Sequence, residues 1–188
     1  MAGIGALQGL CAGLMSTLDR AHQLSTSVAG ISCAFRVTGT SELRKLDGAV
    51  STCSLFIYRV THNEHVRNRQ TPARPLTLDA HLMFTIWADS PVAEHSLHAW
   101  LARELHDRPM LGRGVLGSSY ADDEQVQLVP AELSWDDLTK VWQALNLPYR
   151  LSTTYIARNI RIDADAAAVD AAPVVARRFI YQDEVEPA

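Results

Sequence analysis

Apolar residues at the start of the chain recur at helical spacing. The larger apolar side chains fall three or four positions apart, at Ile4, Leu7, Leu10 with Cys11, Leu14 and Leu18. This spacing predicts an amphipathic helix that packs on the domain. The stretch has no cationic segment before it and is interrupted by Gly9 and Gly13, so we expect neither a signal peptide nor a membrane span.

Five later segments have the composition of β-strands, being rich in β-branched and aromatic residues or alternating in polarity. They are Ile31–Val37, Thr52–Val60, Leu76–Ala88, Gln125–Leu133 and Leu151–Ile162. Residues 61–75 between the second and third are polar and basic and contain two prolines, which predicts an exposed loop.

Two further helices are predicted from their start signals. Ser90-Pro91 resembles an N-cap followed by proline at the first helical position, and that helix ends before Pro109. Ser134 opens a capping box, and the helix after it ends before Pro148. A glycine-rich loop lies between the two. The four tryptophans are predicted to lie in the core, at Trp87, Trp100, Trp135 and Trp142.

The order of these elements predicts an α/β (α+β) fold, with a mixed β-sheet of about five strands covered by helices. Residues 1–163 form a single domain in this interpretation. Residues 164–188 form a flexible linker and an extended C-terminal arm, because the Ala/Asp-rich stretch Asp163–Pro173 precedes the apolar Val174–Gln182. Such an arm could add a strand to a neighbouring sheet or fold back on its own domain.

Charge is distributed unevenly along the chain. The net charge of −4 is mild, and we expect no nucleic acid as partner. Residues 36–74 hold seven Arg/Lys and three acids, a net of +4, whereas residues 163–188 hold six acids and two arginines, a net of −4. The asymmetry could steer head-to-tail contacts between identical subunits, or it could reflect two unrelated solvated segments.

The sequence gives little support for a catalytic site. The three cysteines have no CxxC spacing and are expected to be reduced core thiols. His95 and His98 on one helix, and His62 and His65 in one loop, lack a third ligand for zinc. Asp122–Glu124 reads as a solvated turn. We therefore expect no catalytic residue, cofactor or metal.

Several segments in the same order resemble one family, the cap or tail-terminator proteins of extracellular contractile injection systems, which are related to contractile phage tail terminators. The matching segments are Leu55–Asn63, Val66–Asn68, Pro75–Leu82, Leu105–Leu111, Leu133–Leu138, Val141–Leu145 and Pro148–Ser152 with Tyr155.

The resemblance implies a tail-terminator-like fold and a structural protein, not an enzyme. It implies a homo-oligomer, a hexameric ring on the last layer of inner tube and sheath, which stops polymerisation. Assembly would take place in the cytoplasm, with release as part of the particle as an option. The alternatives are a phage tail component that controls tube length or joining, and a small metal-dependent hydrolase.

Within this frame, exposed arginines and their neighbours are the candidate contacts with other subunits, tube or sheath. They are Asn63, Arg67, Asn68, Arg69, Arg108, Tyr149, Arg150, Arg177, Arg178, Phe179, Ile180 and Tyr181. The competing interpretation of Arg67-Asn68 and Arg108-Pro109 is that they stabilise their own loops.

Overall fold

A computed structural model describes residues 3–63 and 75–163 of the chain. Its centre is a six-stranded sheet with the strand order β1-β2-β3-β6-β5-β4. The strands are β1 (Ala34–Val37), β2 (Thr52–His62), β3 (Leu76–Trp87), β4 (Met110–Leu111), β5 (Val126–Ala131) and β6 (Ser152–Ile162). The helices are α1 (Ala6–Leu24), α2 (Thr40–Leu43), α3 (Pro91–His106), α4 (Arg113–Leu116) and α5 (Trp135–Leu145).

The sheet is mixed, which confirms the predicted fold class. β1 and β2 run parallel, and every other neighbouring pair is antiparallel. All five predicted strands are present with shifted ends: β1 begins at Ala34, and β2 continues to His62, into the segment predicted as a loop. The sixth strand, β4, and the short helices α2 and α4 were not predicted, because two to four residues show no periodicity.

One face of the sheet, here called the first face, is covered by α1, α3 and α4. Leu10, Leu14 and Leu18 of α1 are fully buried against strand residues such as Leu82 and Phe84. Ile4 is the exception to the predicted helix stripe, since it precedes α1 and is 84% exposed.

Within residues 3–63 and 75–163, the second face is covered only in part, by α2 and α5. A smaller cluster joins Met83 and Trp87 of β3 to Leu43 of α2 and to Trp142 and Leu145 of α5. Arg44 ties the two helices together, because its Nε donates to the carbonyl oxygen of Leu145 at 3.1 Å. The buried cluster on this face therefore sits toward one end of the sheet.

Two β-bulges interrupt the strands at the other end. In β2, Tyr58 is an extra residue between the pairs Ile57–Leu82 and Arg59–His81. In β6, Arg158 and Asn159 together lie opposite Asp79. Asn159 has φ of 65°, the left-handed conformation that asparagine tolerates better than most residues.

Candidate assembly surfaces

Four of the predicted contact residues lie within the described ranges: Asn63, Arg108, Tyr149 and Arg150. The others lie outside the described residues, and so does the predicted linker and arm. They are Arg67, Asn68, Arg69, Arg177, Arg178, Phe179, Ile180 and Tyr181. Their roles stay predictions.

Asn63 faces into its own chain and is only 2% exposed. Its side-chain nitrogen donates to both carboxylate oxygens of Asp79, at 3.0 and 3.2 Å, and to Oδ1 of Asn159 at 3.2 Å. The backbone N–H of Asn159 donates to Asp79 as well, at 3.1 Å. This clamp fixes the end of β2 to β3 and to the bulge of β6. A direct contact from this amide to another subunit stays a prediction, and it would have to compete with these bonds.

Arg108 stabilises the end of α3. Its guanidinium donates to the carbonyl oxygen of Glu104 at 2.8 Å and pairs with the carboxylate of the same residue. Because helix C-termini carry unpaired carbonyl groups, an arginine here satisfies one of them. The geometry supports the competing interpretation, in which Arg108 serves its own loop; a role in subunit contact is still a prediction.

Tyr149 and Arg150 belong to a chain of aromatic contacts on the second face, here called the aromatic patch. Tyr149 lies 4.9 Å from Trp135 and 6.4 Å from Trp142, measured between ring centroids. Trp142 in turn lies 6.1 Å from Trp87, and the guanidinium carbon of Arg150 is 4.8 Å from the centroid of Trp87. Arg150 therefore makes a cation–π contact within its own chain.

The prediction that all four tryptophans are core residues is wrong for Trp135. Trp87, Trp100 and Trp142 are buried, but Trp135 is 65% exposed, and Tyr149 beside it is 42% exposed. Trp135 is the first residue of α5, directly after the cap at Ser134, whose Oγ accepts the N–H of Asp137 at 3.1 Å. The N-cap thus places this ring in the first turn of the helix, where it is exposed.

The part of the second face that the cluster of α2 and α5 leaves uncovered carries arginines that we did not predict as contacts. Arg59 of β2 pairs in register with His81 of β3, and His81 pairs with Ile156 of β6. Arg158 follows on the same side of β6 as Ile156. We call Arg59, His81, Ile156 and Arg158 the basic face. Burial lowers the pKa of His81, and the charges of Arg59 and Arg158 lower it further, while Asp79 acts in the opposite direction.

Neither arginine of the basic face has a carboxylate partner in the described ranges 3–63 and 75–163. The ion pairs found there involve Arg103, Arg108, Arg113 and Lys140. Asp79 lies opposite Arg158 in the strand register, and both of its oxygens already accept hydrogen bonds from Asn63. The positive charge on this face is therefore not neutralised by the described part of the chain.

Three of the side chains considered for metal binding take other partners, and His65 lies outside the described residues. His98 lies 2.9 Å from the carbonyl oxygen of Leu151 through its Nε2. Asp122 pairs with Arg113, and Glu124 accepts the N–H of Ala121 at 2.7 Å. Among the described residues, no group of three or more His, Cys, Asp or Glu side chains is placed to hold a metal ion.

The three cysteines are free thiols in the structure. Burial raises the pKa of Cys11 to about 11 and that of Cys33 to about 11, and it raises the pKa of Cys53 well above its usual value. A thiol with a raised pKa is a poor nucleophile at neutral pH, because the thiolate is the reactive form.

Across the ranges that the structure describes, each helix is either too short or too polar to cross a membrane.

Comparison with solved structures identifies similar folds. A cryo-EM structure of an extracellular contractile injection system, the PVC sheath/tube terminator in its extended state, is 17% identical and covers 91% of this chain with a TM-score of 0.51. The cryo-EM structure of the anti-feeding prophage cap, a tube-terminating cap, is 16% identical, covers 88% of this chain and 60% of that chain, and has a TM-score of 0.49. This chain spans 65% of the length of the PVC terminator.

No curated protein matches the chain at a significant level. The model of one protein family, however, matches from the middle of α1 through β6 and beyond, over residues 11–176. This range contains the whole sheet and, apart from the first five residues of α1, the helices that cover it. The chain therefore belongs to the Pvc16 N-terminal domain family, and it has the fold of a contractile injection system terminator.

Proposed function

We propose that this protein is a structural cap subunit, which forms a ring on the end of the inner tube and sheath of a contractile injection system and stops their polymerisation. Membership of the Pvc16 N-terminal domain family carries this proposal, together with the fold shared with a sheath/tube terminator over 91% of the chain. The ring is proposed to be a hexamer assembled in the cytoplasm, and no catalysis is assigned to it.

The short strands at the two edges of the described sheet support the proposal of a subunit that ends a polymer. A terminator needs one surface that fits the growing end and must not offer a second surface that recruits the next subunit. The outermost strands of the described sheet have only four and two residues. Short edge strands limit uncontrolled strand pairing between molecules, so growth through these edges is disfavoured.

The aromatic patch is the candidate for one of the fitted surfaces. Trp135 and Tyr149 are exposed rings held by their neighbours, and Leu151 beside them is 40% exposed. Rigid aromatic side chains bury a large area at low entropic cost, and for this reason they often dominate interface energies. We propose that Tyr149 contacts a neighbouring subunit, with Trp135 as a further contact residue that the sequence did not reveal.

Deletion of the gene tests the proposal directly. Without a terminator, tubes and sheaths should grow to uncontrolled lengths or fall apart, while tube subunits are still made. Electron microscopy of particles from the deletion strain measures this. A normal length distribution of intact particles would rule the proposal out.

The variant Trp135→Ala/Tyr149→Ala tests the surface in the same assay. It should fold, because both rings are largely exposed, but it should restore normal particle length poorly. Val92→Ala is the matched control, since Val92 is a comparably exposed apolar side chain, on a helix of the first face. Equal rescue by both variants would show that the aromatic patch is not part of the interface.

A further inference from the structure

The basic face exists because of the two bulges. Along a regular strand, residues one or three positions apart point to opposite faces of the sheet. Phe56 and Tyr58 contact the cluster on the second face, so Arg59 would point to the first face if β2 were regular. The extra residue Tyr58 turns Arg59 to the second face, where it pairs with His81.

The bulge in β6 works in the same way. Arg158 lies on the second face, and Arg161, three positions later, would lie on the first face in a regular strand. Because Arg158 and Asn159 together oppose Asp79, the alternation is shifted by one, and Arg161 pairs with Thr77 on the second face. Asn63 and Asp79 hold this bulge in place through the hydrogen bonds of the clamp. The two bulges thus place Arg59, Arg158 and Arg161 on the same face of the sheet.

Apolar surface accompanies the charge. Ile156 of β6 and Val129 of β5 are register partners on the second face, half-buried, and belong to neither buried cluster. Arg161 and Asn159 also line a small cavity of about 150 Å³, together with Asp123 and Glu124. A fitting partner therefore combines carboxylates with an apolar side chain.

The sequence contains such a partner outside the described residues. Asp183, Glu184 and Glu186 surround Val185 in the segment Asp183–Glu186. In an extended chain, Glu184 and Glu186 lie about 7 Å apart on one side, within reach of two arginines on β2 and β6, the strands that flank β3. We propose that the basic face binds the acidic segment Asp183–Glu186 of a second copy of this chain.

The length of chain in between permits contact between copies. Asp163 follows β6 directly, at the end of the sheet where the arginines lie. Asp183 lies twenty positions after Asp163 in the sequence, and an extended chain of that length spans up to about 65 Å. In a closed ring each copy then supplies one acidic segment and one basic face, so that no copy is left unpaired. This assignment rests on the proposed ring.

Peptide binding tests the chemistry of the face. The probe is a fluorescent peptide with the sequence of residues 179–188, added to full-length chain that carries Asp183→Asn, Glu184→Gln and Glu186→Gln. Fluorescence anisotropy should show binding that weakens with salt. The affinity should fall at least about tenfold when Arg59→Gln and Arg158→Gln are added. Arg20→Gln with Arg36→Gln is the matched control, with the same loss of charge elsewhere, and should leave binding unchanged.

Cross-linking tests whether the partner is a second copy. A chain with Val185→Cys mixed with a chain with Ile156→Cys should form covalent dimers on a denaturing gel. Val185→Cys mixed with Val92→Cys should not, because Val92 lies on α3, over the first face.

Absence of peptide binding, or binding insensitive to Arg59 and Arg158, overturns the inference. Peptide binding without cross-linked dimers also overturns it, since the segment then closes on its own chain. Neither readout requires a tube or a complete ring. If both succeed while the deletion strain has normal particles, the proposed cap function fails and the contact stands. If the deletion strain has particles of uncontrolled length and the peptide does not bind, the cap function stands and this inference fails.

Discussion

At the residue scale, Gly13 shows how closely two helices approach in this fold. A Cβ added to Gly13 of α1 would lie 1.8 Å from the carbonyl oxygen of Val115 in α4. That contact is with backbone, so a side-chain rotation cannot relieve it. The glycine is therefore required by packing, although glycine within a helix costs about 1 kcal/mol relative to alanine.

We expect Gly13→Ala to destabilise the protein by about 2 kcal/mol or more, because overpacking outweighs the gain in helix propensity. Gly114→Ala is the control: it is also a helical glycine, but an added Cβ would meet no heavy atom within 4 Å. Urea unfolding followed by circular dichroism measures both. Equal stability of the two variants would show that α1 and α4 do not pack as the structure has them.

Cys11 predicts a pH dependence of stability. Its pKa is about 11 in the folded protein, against 9.0 for an unperturbed thiol. As pH rises from 9 toward 11, the unfolded chain loses this proton and the folded chain keeps it, so the free energy of unfolding falls. Below pH 9 the thiol is protonated in both the folded and the unfolded chain, so its full contribution to the free energy of unfolding is present there.

Comparison of wild type with Cys11→Ala isolates this effect, since the other titrating groups are common to both. The stability advantage of the wild type should shrink by about 2 kcal/mol between pH 8 and pH 10.5. Urea unfolding at the two pH values provides the measurement. A constant difference would mean that Cys11 titrates alike in the folded and unfolded chain, which a buried thiol should not do.

At the scale of elements, a substitution in the clamp at the end of β2 distinguishes a structural role of Asn63 from a role in subunit contact. Asn63→Ala leaves the carboxylate of Asp79 without two of its hydrogen bonds in a partly buried site. We expect a loss of about 1–3 kcal/mol in the free energy of unfolding. If Asn63 acts only in subunit contact, thermal unfolding of the isolated subunit will be unchanged and assembly alone will suffer.

Long elements could be predicted from the sequence, and short or irregular ones could not. α1, β3 and β6 each extend over enough residues for the hydrophobic period to show. β4 has two residues, and its pairing with β5 depends on a segment distant along the chain. Helix and strand periods describe regular structure, so they carry no signal for a bulge.

The candidate surfaces illustrate the same limit. Tyr149 and Arg150 were predicted from the family resemblance, but Trp135 beside them was assigned to the core, because helical spacing does not show where the sheet ends. Arg59 and Arg158 were not predicted as contacts at all. Their common face depends on the bulge at Tyr58, which only the strand register reveals.

At the scale of the whole molecule, the two faces of the sheet differ in how much of each is covered by the described helices. The first face is covered by α1 and α3 and holds the larger buried cluster. The second face has a smaller cluster under α5, with the aromatic patch at one end and the basic face at the other. Surfaces at opposite ends of a subunit suit heterologous contacts, which close into a ring when the rotation between copies permits.

The C-terminal arm provides the last prediction at this scale. Residues 174–182 are mostly apolar and follow the Ala/Asp-rich stretch 163–173. Of the two options for this arm, we predict that it acts outside its own domain and does not fold back on it. Nine residues at about 3.3 Å each span roughly 30 Å, enough to pair along a whole strand.

Deletion of residues 174–188 should therefore leave the melting temperature of the isolated subunit almost unchanged and weaken its attachment to sheathed tails. Differential scanning calorimetry measures the first effect, and co-sedimentation with purified tails measures the second. The variant with neutralised Asp183, Glu184 and Glu186 keeps the apolar residues 174–182, so it separates the loss of charge from the loss of the whole arm. A markedly lower melting temperature of the truncated chain would place the arm in the core of its own domain, because removal of buried apolar surface is the change that costs folding stability.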